Sequence, residues 1–423
     1  MAVANLARTR ILVAGGSYGG LAAALNLLDM SQGRKARSAP TDRPASDRPA
    51  LPVQITIVDE RDGFFHLIGS PLALATEEYA RKAWVPFSEI PALKHTDVSF
   101  LQGTVTSIDP NTRTATISRT DSNEHTQHDY DYLVAASGLR RVWPTVPQAL
   151  KKKKWLVEAD GHIQSIKEAK ERVVVIGGGA VGIEMAAELQ LVHPQVRVTL
   201  VHSRDRLLSS EELPDEMAEK TKELLVEGGV EVILGHRVKG SEPVSTNDGT
   251  TLYDVTFTDG THMRASHVIS AISRPMPTSS YIPAGALNDE GLVKVNSRLE
   301  FTGDIPNNTS HFAAGDMIAW SGIKRCGAAM FAGAISASNI YQQMVQKHNG
   351  TEPKFDELPP IPPMIALAVG ATAVAYHPDT GLKYGDEVMQ NFFQDDLGFN
   401  ICYNIMGLAT DPYKGPEVEK SVA

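Results

Sequence analysis

An α/β fold built in two similar halves, with a small α+β segment at the C-terminal end, is what three observations predict. Two glycine-rich turns, ILVAGGSYGG at 11–20 and VVVIGGGAVGIE at 173–184, each leave an apolar strand and enter a helix. Each is followed by a second apolar strand, VQITIVDE at 53–60 and VRVTLVHSRDRLL at 196–208. Late in the chain, MIALAVGATAVAY at 364–376 is interrupted by Gly370 and bounded by Pro363 and Pro378. It reads as two short strands rather than a membrane helix. The halves are therefore expected to be Rossmann-like dinucleotide-binding domains, since a strand, a tight glycine turn and a helix present free amides and a helix dipole to a pyrophosphate.

The first unit carries Gly15, Gly16, Ser17, Gly19 and Gly20. Serine at the middle position of the fingerprint is small, and its hydroxyl can donate to phosphate. An acid at the end of the next strand should take ribose hydroxyls, and Asp59 or Glu60 stands there. Residues 31–50, SQGRKARSAPTDRPASDRPA, separate the two elements and hold almost no large apolar residue. They are expected to be a disordered surface insertion.

The second unit satisfies the fingerprint with Gly177, Gly179 and Gly182. Its strand ends in His202, Ser203 and Arg204 instead of an acid. Without a carboxylate there is no repulsion against a ribose 2′-phosphate, and Arg204 can pair with one. NADPH is thus tolerated and NADH is not excluded.

The chain has 423 residues, room for two nucleotide domains and a smaller piece. Its formal net charge of −10 argues against nucleic acid, which needs a basic surface. The one dense basic run, KKKK at 151–154, is expected to be a solvated loop between domains. No segment approaches the apolar length of a membrane span, and MAVANLARTR leaves little room for a targeting sequence before the first strand. The expected location is cytoplasmic, with peripheral contact to an organelle membrane left open, as monomer or homodimer. Cys326 and Cys402 are the only cysteines, far apart and in no C-x-x-C arrangement. The expectation is that no paired dithiol exists to relay electrons, that electrons leave for a diffusible acceptor, and that the compartment is reducing. No metal site is expected.

Three further segments suggest a flavin. YDYLVAASGLR at 130–140 is a buried strand entering a small-residue turn, and HVISAISRP at 267–275 repeats that design. HFAAGDMIAW at 311–320 delivers Asp316 in front of a following helix, where a carboxylate can hold ribityl hydroxyls.

The order G-G-S-Y-G-G, V-D-E, A-A-S-G, G-G-G-A-V-G-I-E-M-A-A-E, V-T-L-V-H and A-A-G-D resembles the two-dinucleotide, glutathione-reductase-like flavoprotein reductases. Within them the chain is most similar to the AIF-like, ferroptosis-suppressor (AMID-like) FAD-dependent NAD(P)H oxidoreductases of the fungal type. The similarity spans the chain apart from 31–50. It implies a tightly held FAD, NADH or NADPH docking on its re face, and a quinone-like acceptor reduced by two electrons. FAD-contacting positions carried over are Gly15, Gly16, Ser17, Gly19, Gly20, Asp59, Glu60, Val105, Ser137, Gly138 and Asp316. Nicotinamide-nucleotide positions are Gly177, Gly179, Gly182, Glu184, His202, Ser203 and Arg204. Expected domains are 1–150 with 291–350 for FAD, 151–290 for NAD(P)H, and 351–423 as a lid or interface. The family's glycine for myristoylation is Ala2 here, its threonine and glycine in the second half are Ile272 and Ser273, and its C-terminal lysine is Asn404 after Tyr403.

The chemistry so implied asks the protein mainly to stack two rings and exclude water. No spacing argument singles out a catalytic residue; the candidates are Glu184, whose place in the first turn after the glycines also suits the helix dipole, and His66 or Tyr403 for proton delivery to a quinone, with a buried structural role the plainer reading of His66. DEVMQNFFQDDLGFNICYNIMGL at 386–408 has mixed helical and strand character. It is read either as a lid completing the flavin domain or as an apolar entrance using Phe392, Phe393, Phe399 and Met406. A flavin-dependent tailoring oxidase or monooxygenase, and a redox-sensing binding protein with incidental turnover, stay open as other readings.

Overall fold

The computed structural model describes residues 7–38, 41, 44, 48–122, 124–246, 251–272 and 276–414. Ala2 and Ser273 lie outside them.

Two separate parallel sheets carry the two glycine turns. In the first, the strand Thr9–Ala14 lies between Val53–Asp59 and Tyr132–Ala135, all parallel, with His311–Ala313 outside the latter and Val98–Asp109 outside the former. Thr114–Arg119 and His125–Asp129 extend this sheet antiparallel to seven strands. In the second, Val173–Ile176 lies between Val198–Val201 and His267–Ser270, with Glu231–Ile233 at one edge, all parallel. Central strands such as Val173–Ile176 are buried at every residue, as a sheet covered on both faces requires.

The backbone shows that the halves are copies of one design. Gly15 N–H donates to Val58 O at 2.8 Å, and Gly177 N–H donates to Val201 O at 2.9 Å. Ala136 N–H reaches Ala14 O at 2.7 Å, and Ala271 N–H reaches Ile176 O at 2.9 Å. Each turn therefore sits where strand order reverses, the place at which open α/β sheets bind ligands.

Behind the first turn the helix Tyr18–Ser31 is buried along its whole length, held between its sheet and the helix Cys326–Asn349. This burial leaves Asp29 inside the protein, and Arg34 and Arg37 each meet its carboxylate at 2.6 Å. Arg37 also donates to Gly407 O at 2.6 Å, and Arg34 to Pro412 O at 3.0 Å. The expected disordered insertion is thus corrected at its start: residues 32–38 are tied by charge to the helix before them and to the C-terminal segment. Residues 39–40, 42–43 and 45–47 of that insertion lie outside the described residues.

KKKK is corrected as well. Lys151 caps the helix Lys152–Lys167, and the other three lysines form its solvent-facing first turn while Trp155 and Ile163 anchor the buried face. The C-terminal stretch gives the expected hairpin, Ile365–Val369 and Thr372–His377, with a third strand Gly381–Tyr384. Beyond it come two short helices, Asp386–Phe392 and Phe399–Ile405, and no strand among the described residues. Lys82 anchors this end through Asp396 at 2.8 Å and lies over the Phe399 ring. Among the described residues no helix is long and apolar enough to cross a membrane, and no cluster could hold a metal ion.

Candidate functional site

A single cavity of about 1760 Å³ runs from one glycine turn to the other. That exceeds the roughly 300–1,000 Å³ of a pocket for one drug-sized ligand and suits two dinucleotides meeting end to end.

Gly16, Ser17 and Gly19 line it at one end, Gly177 and Gly179 at the other. Gly15 and Gly177 have φ of +114° and +120°, the left-handed side that a turn this tight demands and a side chain resists. A Cβ at Gly179 would meet nothing within 4 Å: it would stand in the cavity, in the space a phosphate needs beside the amides of the Ala180–Val192 helix. Gly20 and Gly182 lie behind the lining, each against the carbonyl oxygen of the first glycine in its own turn. Ser17 caps the Tyr18–Ser31 helix by backbone alone, so its hydroxyl makes no capping bond.

The strand-end residues do something that spacing did not reveal. Asp59 Oδ2 accepts from Gly16 N–H at 2.7 Å and its Oδ1 from Arg61 N–H at 2.8 Å. Burial raises the pKa of this carboxyl. In the second half His202 Nδ1 accepts from Gly178 N–H at 3.1 Å, and Nε2–H therefore donates to Ser209 Oγ at 3.0 Å. Burial, with Arg204 nearby, lowers the His202 pKa. The same amide, that of the residue directly after the first glycine of the turn, is thus held by a carboxylate in one half and by a neutral imidazole in the other. Ser203 and Arg204 line the cavity beside it, as do His236 and Arg237, which the sequence reading missed. Glu60 also lines the cavity and is gripped by Arg140 at 2.8 and 3.1 Å.

The middle of the cavity is where distant segments meet. Ser137 and Gly138 enter from the turn after Tyr132–Ala135, with Ser137 Oγ donating to Thr278 O at 3.1 Å. Asp316 faces Arg141 at 3.7 Å, and its burial raises the carboxyl pKa against the pull of Arg141 and Lys324. Arg325, on the same wall, keeps Nε buried without a partner. Glu184 lines the cavity half-buried, and burial pushes its pKa up to about 8 despite the Ala368 N–H that donates to it at 3.3 Å. It therefore holds a proton at neutral pH. Arg141, Lys324 and Arg325 carry no sequence pattern and were not anticipated.

Several expected residues lie elsewhere. Val105 is buried in the sheet opposite Ile117 and does not line the cavity, because its strand has already turned into the antiparallel extension. His66 is behind the wall: Ile68 N–H donates to Tyr18 Oη, Tyr18 O–H to His66 Nδ1 at 3.1 Å, and His66 Nε2–H to Leu397 O at 3.0 Å. Burial lowers its pKa to about 4, so it is a neutral structural link. Tyr403 stacks on Phe399, and Asn404 is exposed; neither lines the cavity, whereas Ile401, Cys402 and Ile405 of the same helix do. Phe399 and Met406 belong to the core, while Phe392 is half exposed at the cavity rim and Phe393 packs inward beside it.

The cysteine expectation is overturned. Cys326 opens the long helix, Cys402 sits in the Phe399–Ile405 helix, and their sulfurs are 3.9 Å apart on the cavity wall. Distance along the chain is no measure of distance in the fold, so the ground for excluding a dithiol is gone.

The open position at Gly179, the uncapped Ser17 hydroxyl and the orphaned Arg325 Nε all fit phosphate- and hydroxyl-rich ligands of dinucleotide type. Comparison with known proteins agrees. The chain is 53% identical over 408 residues to an oxidoreductase, OXR1, of Ajellomyces capsulatus, covering 95% of this chain and 88% of that one. It is 26% identical over 308 residues to ferroptosis suppressor protein 1 of Homo sapiens, covering 72% and 73%. Among solved structures, an NAD-dependent persulfide reductase from A. fulgidus superimposes with a TM-score of 0.65 at 21% identity, over 87% of this chain and 63% of that longer one. A water-forming NADH oxidase from Lactobacillus brevis does so with a TM-score of 0.61 at 18% identity, over 87% and 74%. The sequence model of the pyridine nucleotide-disulphide oxidoreductases matches residues 9–333, and the chain belongs to that family: it is an FAD-dependent NAD(P)H oxidoreductase.

Proposed function

We propose that this protein takes hydride from NAD(P)H and delivers two electrons to a lipophilic, quinone-like acceptor that enters over the C-terminal segment. Bound FAD supplies the two-electron chemistry that links the two substrates. The observation that carries the acceptor class is an exposed apolar patch on the cavity: Phe392 and Ile405, 52% and 43% exposed, line it together with Ile401.

In this reading residues 1–150 and 291–350 hold FAD, 151–290 hold NAD(P)H, and 351–423 form the lid. The Gly15–Gly20 turn and Ser17 hold the FAD pyrophosphate, Asp59 and Glu60 face its ribose, and Ser137, Gly138 and Asp316 hold its flavin half. The Gly177–Gly182 turn holds the coenzyme pyrophosphate, and Arg204 with Arg237 gathers a 2′-phosphate. Glu184, protonated at neutral pH, keeps a proton at its carboxyl oxygen beside the meeting point of the two ligands. Leu67, Ile68 and Leu367 line that region and keep water out.

The test is anaerobic reduction of the purified flavoprotein by NADH and by NADPH, followed by a panel of quinones of rising tail length, and by oxygen. Turnover that rises with tail length and falls several-fold in Phe392→Ser supports the reading. Reoxidation by oxygen alone, accelerated by a small metabolite, would show a tailoring oxidase instead. Very slow reoxidation by every acceptor would show a redox-sensing binding protein.

A further inference from the structure

We propose that Cys326 and Cys402 form a thiol pair that a hydroperoxide oxidises reversibly to an intramolecular disulfide in the cavity wall. The chain has only two cysteines, 76 residues apart, and folding sets both sulfurs at 3.9 Å with both thiols free. A disulfide needs about 2 Å between sulfurs, so closure requires side-chain rotation and a small approach of two elements. Those elements are the start of the long helix and a short helix of the lid segment.

The two cysteines are not equivalent. Cys326 is half-buried, faces the cavity and is the first residue of the Cys326–Asn349 helix, with the Arg325 guanidinium next to it. Its hydrogen bond with Cys402 lowers its pKa, helped by the Gly327 amide and Arg325 and opposed by burial. Cys402 is 3% exposed, and the hydrogen bond to Cys326 and its burial push its thiol up. The reachable sulfur is therefore the one that gives a thiolate, which is the nucleophile toward peroxide. The other, more deeply buried in the same wall, is the resolving thiol, the arrangement of a reversible redox pair.

The chemistry balances as two displacements. Cys326 thiolate attacks the terminal peroxide oxygen; the S–O bond forms, the O–O bond breaks, and the alcohol or water leaves after taking up a proton. Cys402 sulfur then attacks the sulfenic sulfur; the S–S bond forms, the S–O bond breaks, and water leaves with the Cys402 proton. Two thiols and one hydroperoxide give one disulfide, one alcohol or water, and one further water. A dithiol reductant returns the pair by exchange.

The experiment uses the FAD-loaded protein, reduced and then titrated with hydrogen peroxide, quenched with iodoacetamide under denaturing conditions and mapped by mass spectrometry. The expected result is joint loss of both thiols at one peroxide per chain, a Cys326–Cys402 cross-linked peptide, and full recovery with dithiothreitol. In Cys402→Ser, dimedone should label Cys326 and no cross-link should form. In Cys326→Ser, or Cys326→Ala if the first variant folds poorly, Cys402 should stay alkylatable. Two thiols that still alkylate after excess peroxide, oxidation of each cysteine independent of the other, or cross-links only between chains would overturn the proposal. The wild-type cross-linked peptide decides the matter even where a variant does not fold.

Discussion

Asp59 and His202 occupy the same place in the two halves and accept the same amide, from Gly16 and Gly178. Only the first is a carboxylate, and the difference bears on which nucleotide each half admits. An ionised acid at position 202 would keep the hydrogen bond to Gly178 while adding a negative charge where a 2′-phosphate approaches. At an effective dielectric near 20, such charges about 6–8 Å apart repel by about 2 kcal/mol. His202→Asp is therefore expected to weaken NADPH by roughly tenfold or more relative to NADH, measured as Kd for each reduced coenzyme. Arg204→Glu should act in the same direction, removing a pairing cation from a site that also holds Arg237. Equal losses with both coenzymes would mean that neither residue meets the 2′-phosphate.

At the scale of elements, Gly20 and Gly182 each pack against the carbonyl oxygen of Gly15 or Gly177, so an added methyl meets backbone that cannot swing aside. Gly182→Ala should distort the second turn alone: the protein keeps its flavin spectrum but loses NAD(P)H binding by at least about tenfold, or 1.4 kcal/mol. Gly20→Ala should do the reverse and yield protein without flavin, read by absorbance after purification. The turns, their strands and the late hairpin were legible in the sequence because each is local: its apolar run, glycine spacing and bounding prolines lie within a few residues. The Cys326 and Cys402 pair was not, since only docking of the C-terminal segment on the long helix creates it. Nor was the hold of Arg34 and Arg37 on Asp29, where a segment of disordered composition is fixed by two ion pairs to a buried acid. Val105 lies off the cavity lining for a related reason: its strand continues past the parallel sheet into an antiparallel extension, where it pairs with Ile117.

For the whole molecule, buried titratable groups of both kinds set how stability depends on pH. Burial lowers His66 to about 4 and His162 to about 3, from a usual value of 6.5. Below 6.5 the unfolded chain takes up protons that the folded one refuses, so these groups make stability fall as pH falls toward 4. Glu184 and Glu188 run the other way, since burial raises both to about 8 from 4.5. They hold protons in the folded state that the unfolded chain has released, so their contribution is complete below 4.5 and is lost as pH rises to 8. The two trends oppose each other between 4.5 and 6.5 and act alone outside that window. Stability should therefore peak in mildly acidic solution, at roughly pH 5–6, and decline toward both sides. Glu188 is the clean probe of the alkaline arm, because its Oε1 is buried with no hydrogen-bond partner and it does not line the cavity. A tenfold difference in proton affinity between folded and unfolded chain corresponds to about 1.4 kcal/mol, so Glu188→Gln should remove a cost of a few kcal/mol near pH 8 and change little near pH 5. Urea midpoints of wild type and Glu188→Gln at about pH 5, 7 and 8.5 test this, since the linkage requires the variant's advantage to grow with pH. A constant offset between the two proteins at all three would show that Glu188 does not change its protonation on unfolding.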